Sequence, residues 1–268
     1  MAYRSALVNV MEAAARKAAR GLIRDFGEVE QLQVSRKGPA DFVSQADTRA
    51  ERILREELSR ARPDWGFQLE EGGAIAGRDP AYRWIIDPLD GTTNFLHGIP
   101  HFAISIGLEH RGEPFAGLIL DPIKDELFWA ERGQGAYLNN HRMRVSSRAR
   151  LADSLLATGI PFHGWGDHAR ALREISTVMG EVSGIRRMGA AALDLAYVAA
   201  GRYEGFWEWD LNPWDVCAGI VMVREAGGLV SEIDGGERAL TGGNILAAND
   251  KLHTPLRDLL RRAKAEAK

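Results

Sequence analysis

Two aspartates, Asp87 and Asp90, stand in the run Trp84-Ile85-Ile86-Asp87-Pro88-Leu89-Asp90-Gly91-Thr92-Thr93, where residue types and spacing favour chemistry. The apolar Trp84-Ile85-Ile86 reads as a strand end that delivers Asp87 to a break at Pro88. Asp90-Gly91-Thr92-Thr93 then reads as a turn entering a short helix. Proline fixes φ and glycine relaxes it, so the two carboxylates can point to one side while the amides of Gly91 and Thr92 face forward. Amides at a helix start suit an anion. Carboxylates beside such a nest repel the ligand it suits unless divalent cations lie between them. The corner therefore implies a metal and a phosphate together.

The segment from Asp87 to Thr93 resembles the signature of the inositol monophosphatase family, Mg-dependent and Li-sensitive phosphatases. A second stretch, Trp214-Asp215-Val216-Cys217-Ala218-Gly219 followed by Glu225-Ala226-Gly227-Gly228, is similar to the family's other signature. The two stand in the family's order, and the similarity runs from the first helix to Ala247-Ala248-Asn249. It implies a layered αβαβα sandwich of the inositol monophosphatase and fructose-1,6-bisphosphatase type, α+β in its first half and α/β in its second. The first sheet is expected to be antiparallel and the second mixed.

The resemblance also implies roles. Glu70, Asp87 and the carbonyl of Leu89 would hold one Mg²⁺, and Asp87, Asp90 and Asp215 a second, with a third, looser cation near Glu70 as a further option. Hard oxygen donors of this kind select Mg²⁺, Mn²⁺ or Ca²⁺ over zinc or copper. Glu70 and the Thr92 hydroxyl would orient the attacking water, with no phosphoenzyme, and the Gly91 and Thr92 amides would cradle the phosphate. Glu208 would accept hydrogen bonds from substrate hydroxyls, and the backbone at Gly189 and Ala190 would touch the alcohol. Threonine often stands in the family where this chain has Ala190, so a hydroxyl contact is lost there. Lys37 and Asp47 would lie close behind the site.

The implied substrate is a small phosphate ester, inositol monophosphate or a similar polyol phosphate. Histidinol phosphate and 3'-phosphoadenosine 5'-phosphate are same-fold alternatives. Homodimerisation is implied too, as is contact with a transcription factor or RNA polymerase, because the chain is similar to bacterial members that assist ribosomal RNA transcription.

On the residues alone several of these positions have plainer readings. Asp215 and Asp47 suit helix caps, Lys37 is surface charge, and the pair Glu70-Glu71, whose members compete for the same role, is solvent-facing. His97 and His101, flanking Gly98-Ile99-Pro100, read as solvated loop residues and have no partner at zinc spacing. Cys217 reads as buried and inert.

The elements that must position these residues follow from periodicity. Ala6/Leu7, Val10/Met11, Ala14, Ala18 and Leu22 mark an amphipathic helix ended by Gly27, and Asp47 opens another that runs to about Ala61. Phe67 to Leu69 ends a strand. Phe102 to Glu109, Pro114 to Asp121 and Glu126 to Glu131 form an antiparallel meander, and Gly133 to Asn140 a hairpin. Between Arg148 and Ser154 the pattern changes to alternating strands and helices, dividing the chain into 1–148 and 149–268 without a linker. In the second half Leu155–Gly159, Ile185–Met188 and Tyr203–Glu208 read as strands. Asp167–Val182 and Ala190–Ala200 read as helices, and Asn212-Pro213 opens a third that Gly227-Gly228 closes.

Composition narrows the class. A chain of 268 residues, 45% hydrophobic and 26% charged, suits a globular enzyme, and a net charge of −3 disfavours a dedicated nucleic-acid binder. The arginines at 142, 144, 148 and 150 and at 257, 261 and 262 read as solvated faces. With Cys217 as its only cysteine and no long apolar run, the chain is expected to be cytoplasmic, with no disulfide and no membrane span.

Overall fold

The computed structural model describes residues 4–28, 34–36, 42–162 and 164–265. Helix α1 (Ala6–Phe26) starts on Ser5, whose hydroxyl accepts from the Val8 N–H, and stops at Gly27. A short antiparallel pair, β1 (Val34–Arg36) and β2 (Phe42–Ser44), leads into α2 (Gln45–Ala61). Val8, Met11, Ala14, Ala15, Ala18, Ala19 and Leu22 form the buried stripe of α1, so Ala6 and Leu7 lie at its edge.

The first sheet contains β3 (Trp65–Leu69), β4 (Gly73–Ile75), β5 (Asp79–Asp90), β6 (Ala103–His110), β7 (Glu113–Asp121), β8 (Glu126–Glu131), β9 (Gly135–Leu138) and β10 (His141–Arg142), with helix α3 (Thr92–Leu96) between β5 and β6. From β5 to β10 it is the expected antiparallel meander, but β3 lies parallel to β5. An entirely antiparallel first sheet is thus corrected to a mixed one. After β3 the chain reverses into β4, reverses again, and crosses back to lay β5 on the far side of β3. Backbone passes against backbone at that crossing: a Cβ on Gly66 would meet Gly77 N at 2.9 Å, and one on Gly77 would meet Asp64 O at 2.5 Å. Only glycine fits at either place.

The second sheet holds β11 (Leu155–Thr158), β12 (Gly184–Arg186), β13 (Gly205–Trp209), β14 (Leu229–Ser231) and β15 (Asn244–Ala248), in the order β12-β11-β13-β15-β14. It is mixed, as expected: β11 pairs in parallel with β12 and β13, and β15 runs antiparallel to both neighbours. Its helices are α4 (His168–Met179), α5 (Ala191–Ala199), α6 (Pro213–Glu225) and α7 (His253–Ala265). Asp167 caps α4 through the Arg170 N–H, and the helix ends at Met179, short of Val182.

Strand alternation builds the layers. Trp84, Ile86, Ile104, Ile106, Leu118 and Leu120 face α1 and α2, whereas Ile85, Ala103, Ile119 and Phe128 face α5 and α6. Across those helices the second sheet presents Ala157, Phe206, Ile245 and Ala247, while Leu156, Trp207 and Leu246 turn outward to α4 and α7. The order helix, sheet, helix, sheet, helix is the αβαβα sandwich.

The middle layer is pressed onto strand backbone. A Cβ on Gly107 would meet Cys217 Sγ at 2.5 Å, and one on Gly117 would meet Ala218 O at 2.5 Å. Cys217 is therefore buried, and burial pushes its thiol pKa upward. Glu225, at the end of α6, accepts from the N–H groups of Gly133 at 2.9 Å and Gly135 at 2.8 Å, pinning the β8–β9 hairpin. Several of the surface arginines are ion-paired, Arg148 to Glu204, Arg150 to Asp153 and Arg262 to Glu181.

These close approaches give a direct test. Gly77→Ala should destabilise the protein by about 2 kcal/mol or more through overpacking of backbone on backbone. Gly21→Ala, inside α1 with open space around it, should be neutral or stabilise by up to about 1 kcal/mol. Urea denaturation of both variants measures the contrast.

Candidate active site

The corner is made by a fault in β5. Asp87 pairs with Ser105 and Asp90 with Ala103, so three steps on β5 oppose two on β6. In an unbroken strand, side chains three apart point to opposite faces; one extra residue brings them to the same side. Pro88 sits inside this bulge, where a ladder N–H is not needed. The expected break at Pro88 is therefore a bulge within a strand that continues to Asp90. Gly91, at φ 89°, then turns the chain into α3.

Local hydrogen bonds fix the parts. The Leu89 N–H donates to Asp87 Oδ1 at 2.9 Å, and the Thr92 hydroxyl donates to the Leu89 carbonyl at 2.9 Å. Asp90 Oδ2 accepts from the Ala192 N–H at 2.8 Å, joining the corner to the start of α5. Asp215 Oδ2 accepts from the Asn212 N–H at 2.7 Å in a capping box at the start of α6. Asp215 therefore caps the helix start, and because a carboxylate offers two oxygens this does not use it up; its charge is felt by Asp87, and it feels that of Asp90.

Asp47 lies in the first turn of α2 but is 1% exposed, so it is not a surface cap. It comes together with Glu70 and Glu71, one carboxylate oxygen of each lying within 4.8 Å of the others. The Glu70-Glu71 pair is half-buried instead of solvent-facing, and the Glu71 N–H donates to Glu51 at 2.8 Å. Lys37 lies outside the described residues.

Charge accumulates here. Burial, then the charges of Glu70, Asp90, Asp215 and Asp47, hold the Asp87 pKa well above the carboxylate range. Burial foremost, with Glu70 adding to it, raises Asp90 to about 7 against the Ala192 hydrogen bond. Burial also raises Asp215 to about 7, with Asp90 contributing. A set of mutually repelling hard oxygens fits a divalent oxophilic cation and does not fit zinc's preference for nitrogen and sulfur.

The corner opens onto a cavity of about 640 Å³. Glu70, Asp90, Gly91, Thr92, Gly189, Ala190, Glu208 and Asp215 are among the residues that line it. Asp87 and Leu89 are buried and do not line it. Burial, then Asp215, lifts the Glu208 pKa to about 8.

Sequence reasoning missed several supports. Glu174 on α4 accepts from Trp207 Nε1 at 3.1 Å and Trp209 Nε1 at 3.0 Å, holding the strand that carries Glu208. Strand alternation could have found this, since it sends both tryptophans to the face opposite Glu208. Asn94 donates to the carbonyls of His101 and Met188, each at 2.8 Å, and no local pattern signals that link. His101 is buried, not solvated as expected, and burial followed by Lys124 lowers its pKa to about 4.

A five-layered αβαβα chain whose cavity is bordered by clustered carboxylates has the architecture of a metal-dependent phosphatase. The chain belongs to the inositol monophosphatase family, whose model matches residues 4–265. It is 58% identical to the inositol-1-monophosphatase of Rhizobium meliloti (strain 1021) over 97% of each chain. It is 42% identical to the Nus factor SuhB of Escherichia coli (strain K12) over 92% of each. The solved structure of the extragenic suppressor protein suhB from Bartonella henselae, 57% identical, has a TM-score of 0.94 over 96% of this chain and 99% of that one.

A carboxyl raised on folding binds its proton more tightly folded than unfolded. Its contribution to stability is fully present below about pH 4 and is lost as pH rises through about 7 for Asp90 and Asp215. The Tm of the metal-free protein should therefore fall between about pH 5 and about pH 8, and Mg²⁺ should raise it more at the higher pH, because cation binding displaces those protons. Calorimetry in EDTA and in Mg²⁺ across that range measures both effects.

Proposed function

We propose that this chain is a Mg²⁺-dependent phosphomonoesterase that hydrolyses inositol monophosphates and similar small polyol phosphates by direct attack of water. The observation that carries this reading is the bulge that turns Asp87 and Asp90 to one side, with Glu70 and Asp215 beside them. Glu70, Asp87 and the Leu89 carbonyl would hold one Mg²⁺, and Asp87, Asp90 and Asp215 another; Asp47 and Glu71 add donors beside Glu70 for a third. Bound there, the ions would acidify a water and neutralise charge on the entering and leaving oxygens. Glu70 takes up the proton of the attacking water, and Thr92, positioned by the Leu89 carbonyl, orients it. The Gly91 and Thr92 amides receive the phosphate oxygens. Glu208 accepts from hydroxyls of the alcohol, and the backbone at Gly189 and Ala190 lies along it.

A cytoplasmic homodimer inhibited by Li⁺ completes the proposal. Among the described residues no helix is long and apolar enough to cross a membrane, in keeping with that setting. Similarity to proteins named Nus factor favours a second role beside catalysis, contact with a transcription factor or RNA polymerase.

Asp87→Asn is expected to lower kcat/KM for inositol 1-phosphate by more than about a hundredfold, since the side chain would serve both cations. The same change should raise the Tm of the metal-free protein above about pH 8, where the clustered carboxyls are driven to ionise against one another and an amide at 87 is not. Phosphate release and thermal melting on one preparation measure the two opposed effects. Turnover that persists in excess EDTA would exclude the metal-dependent mechanism.

A further inference from the structure

Glu208 reaches the cavity from β13, beside the end of β11. In the parallel pairing Ala157 lies against Phe206 and Thr158 against Trp207, so Gly159 follows as the neighbour of Glu208. The Glu208 side chain lies across that glycine. A Cβ on Gly159 would fall under 3.0 Å from the carboxylate carbon and from both of its oxygens. The Gly159 φ is outside the left-handed region, so its backbone conformation is open to other residues. Space for the Glu208 carboxylate is what requires glycine.

Trp207 and Trp209, on the opposite face of β13, are bonded to Glu174 and fix the strand. Asp215, Asp90 and Asp210 repel the carboxylate, and Arg187 attracts it. Gly159, Glu208, Arg187 and Asp215 all line the same cavity.

We propose that Gly159 is a specificity-determining residue: by accepting the Glu208 carboxylate flat against its backbone, it sets where hydroxyls of the alcohol find their acceptor and leaves the cavity wide enough for a polyol. This rests on the assignment of Glu208 to the alcohol half of the substrate. Any side chain at 159 pushes the carboxylate forward into the cavity, which narrows the alcohol site and misplaces the acceptor. The metal corner is not touched by that displacement. Gly159 acts through Glu208 and makes no contact with the phosphate.

The test compares inositol 1-phosphate with phenyl phosphate, which has no alcohol hydroxyls, for the wild type, Gly159→Ala, Glu208→Ala and the double variant, with Mg²⁺ titrated in each. Gly159→Ala is expected to lower kcat/KM for inositol 1-phosphate by about tenfold or more, chiefly through KM, and to leave phenyl phosphate within about twofold. In the Glu208→Ala background, where no carboxylate remains to displace, adding Gly159→Ala should have no further effect on either substrate. Thermal melting of the double variant checks that alanine at 159 is compatible with the fold. Equal losses on the two substrates, or a loss that persists undiminished without Glu208, would overturn the proposal. A wild-type enzyme without preference for the polyol, or a Glu208→Ala variant that keeps the preference, would count first against the role of Glu208. An intact preference that Gly159→Ala leaves unchanged counts against Gly159 alone.

Discussion

Carboxylates that repel one another in a place water barely reaches are the constraint on which the rest of this structure depends. Asp87 and Asp90 are buried, and each raises the cost of ionising the other. Such a cluster survives folding because regular elements hold most of its members: a bulged strand for Asp87 and Asp90, a helix first turn for Asp215, another for Asp47, with Glu70 in the turn that follows β3. Packing on both sides of two sheets supplies the stabilisation that offsets the repulsion, and bound cations would remove it.

The cluster is also where the two sheets meet. Asp87 and Asp90 come from the first sheet, Asp215 and Glu208 from the second and its helices. Close contact between these halves depends on absent side chains: Gly107 and Gly117 let α6 rest on strand backbone, which brings Asp215 near the bulge. The glutamate of the second signature, Glu225, lies at the opposite end of α6 from Asp215. Its two bonds to the hairpin amides fasten the far end of the same helix.

Much of this was legible in the sequence because periodicity reports faces. The apolar run Trp84-Ile85-Ile86 in β5 and the β-rich runs of β6 and β7 announced strands, and the small-residue, apolar stretch from Ala190 to Ala200 announced a tightly packed helix. What the sequence hid was register and crossing. Nothing local distinguishes a bulge at Pro88 from a strand end, since the difference lies in the partner Ala103. Gly66 and Gly77 look like ordinary loop residues until the chain is seen to pass over itself between them. Asp47 in a polar stretch and His101 in a loop both favour exposure by residue type, and both are buried in the fold. Glu70 illustrates the opposite limit: its residue neighbours say surface, the family resemblance says ligand, and the fold brings it among the other acids.

The bond from the Ala192 N–H to Asp90 joins the carboxylate corner to the backbone at the start of α5. Gly189 and Ala190, three and two residues before Ala192, offer the backbone against which the alcohol would lie, while Asp90 would be a ligand to the cation. A cation that draws the Asp90 carboxylate toward itself alters its hold on Ala192, and an alcohol that shifts the 189–190 backbone alters it from the other end. Binding at the two places would therefore be thermodynamically linked through one hydrogen bond of 2.8 Å. Linkage is reciprocal: whatever factor the cation imposes on alcohol affinity, the alcohol imposes on cation affinity. Release of the alcohol after hydrolysis would then change how tightly the corner keeps its metal, making the order in which products and cation depart a property of the fold.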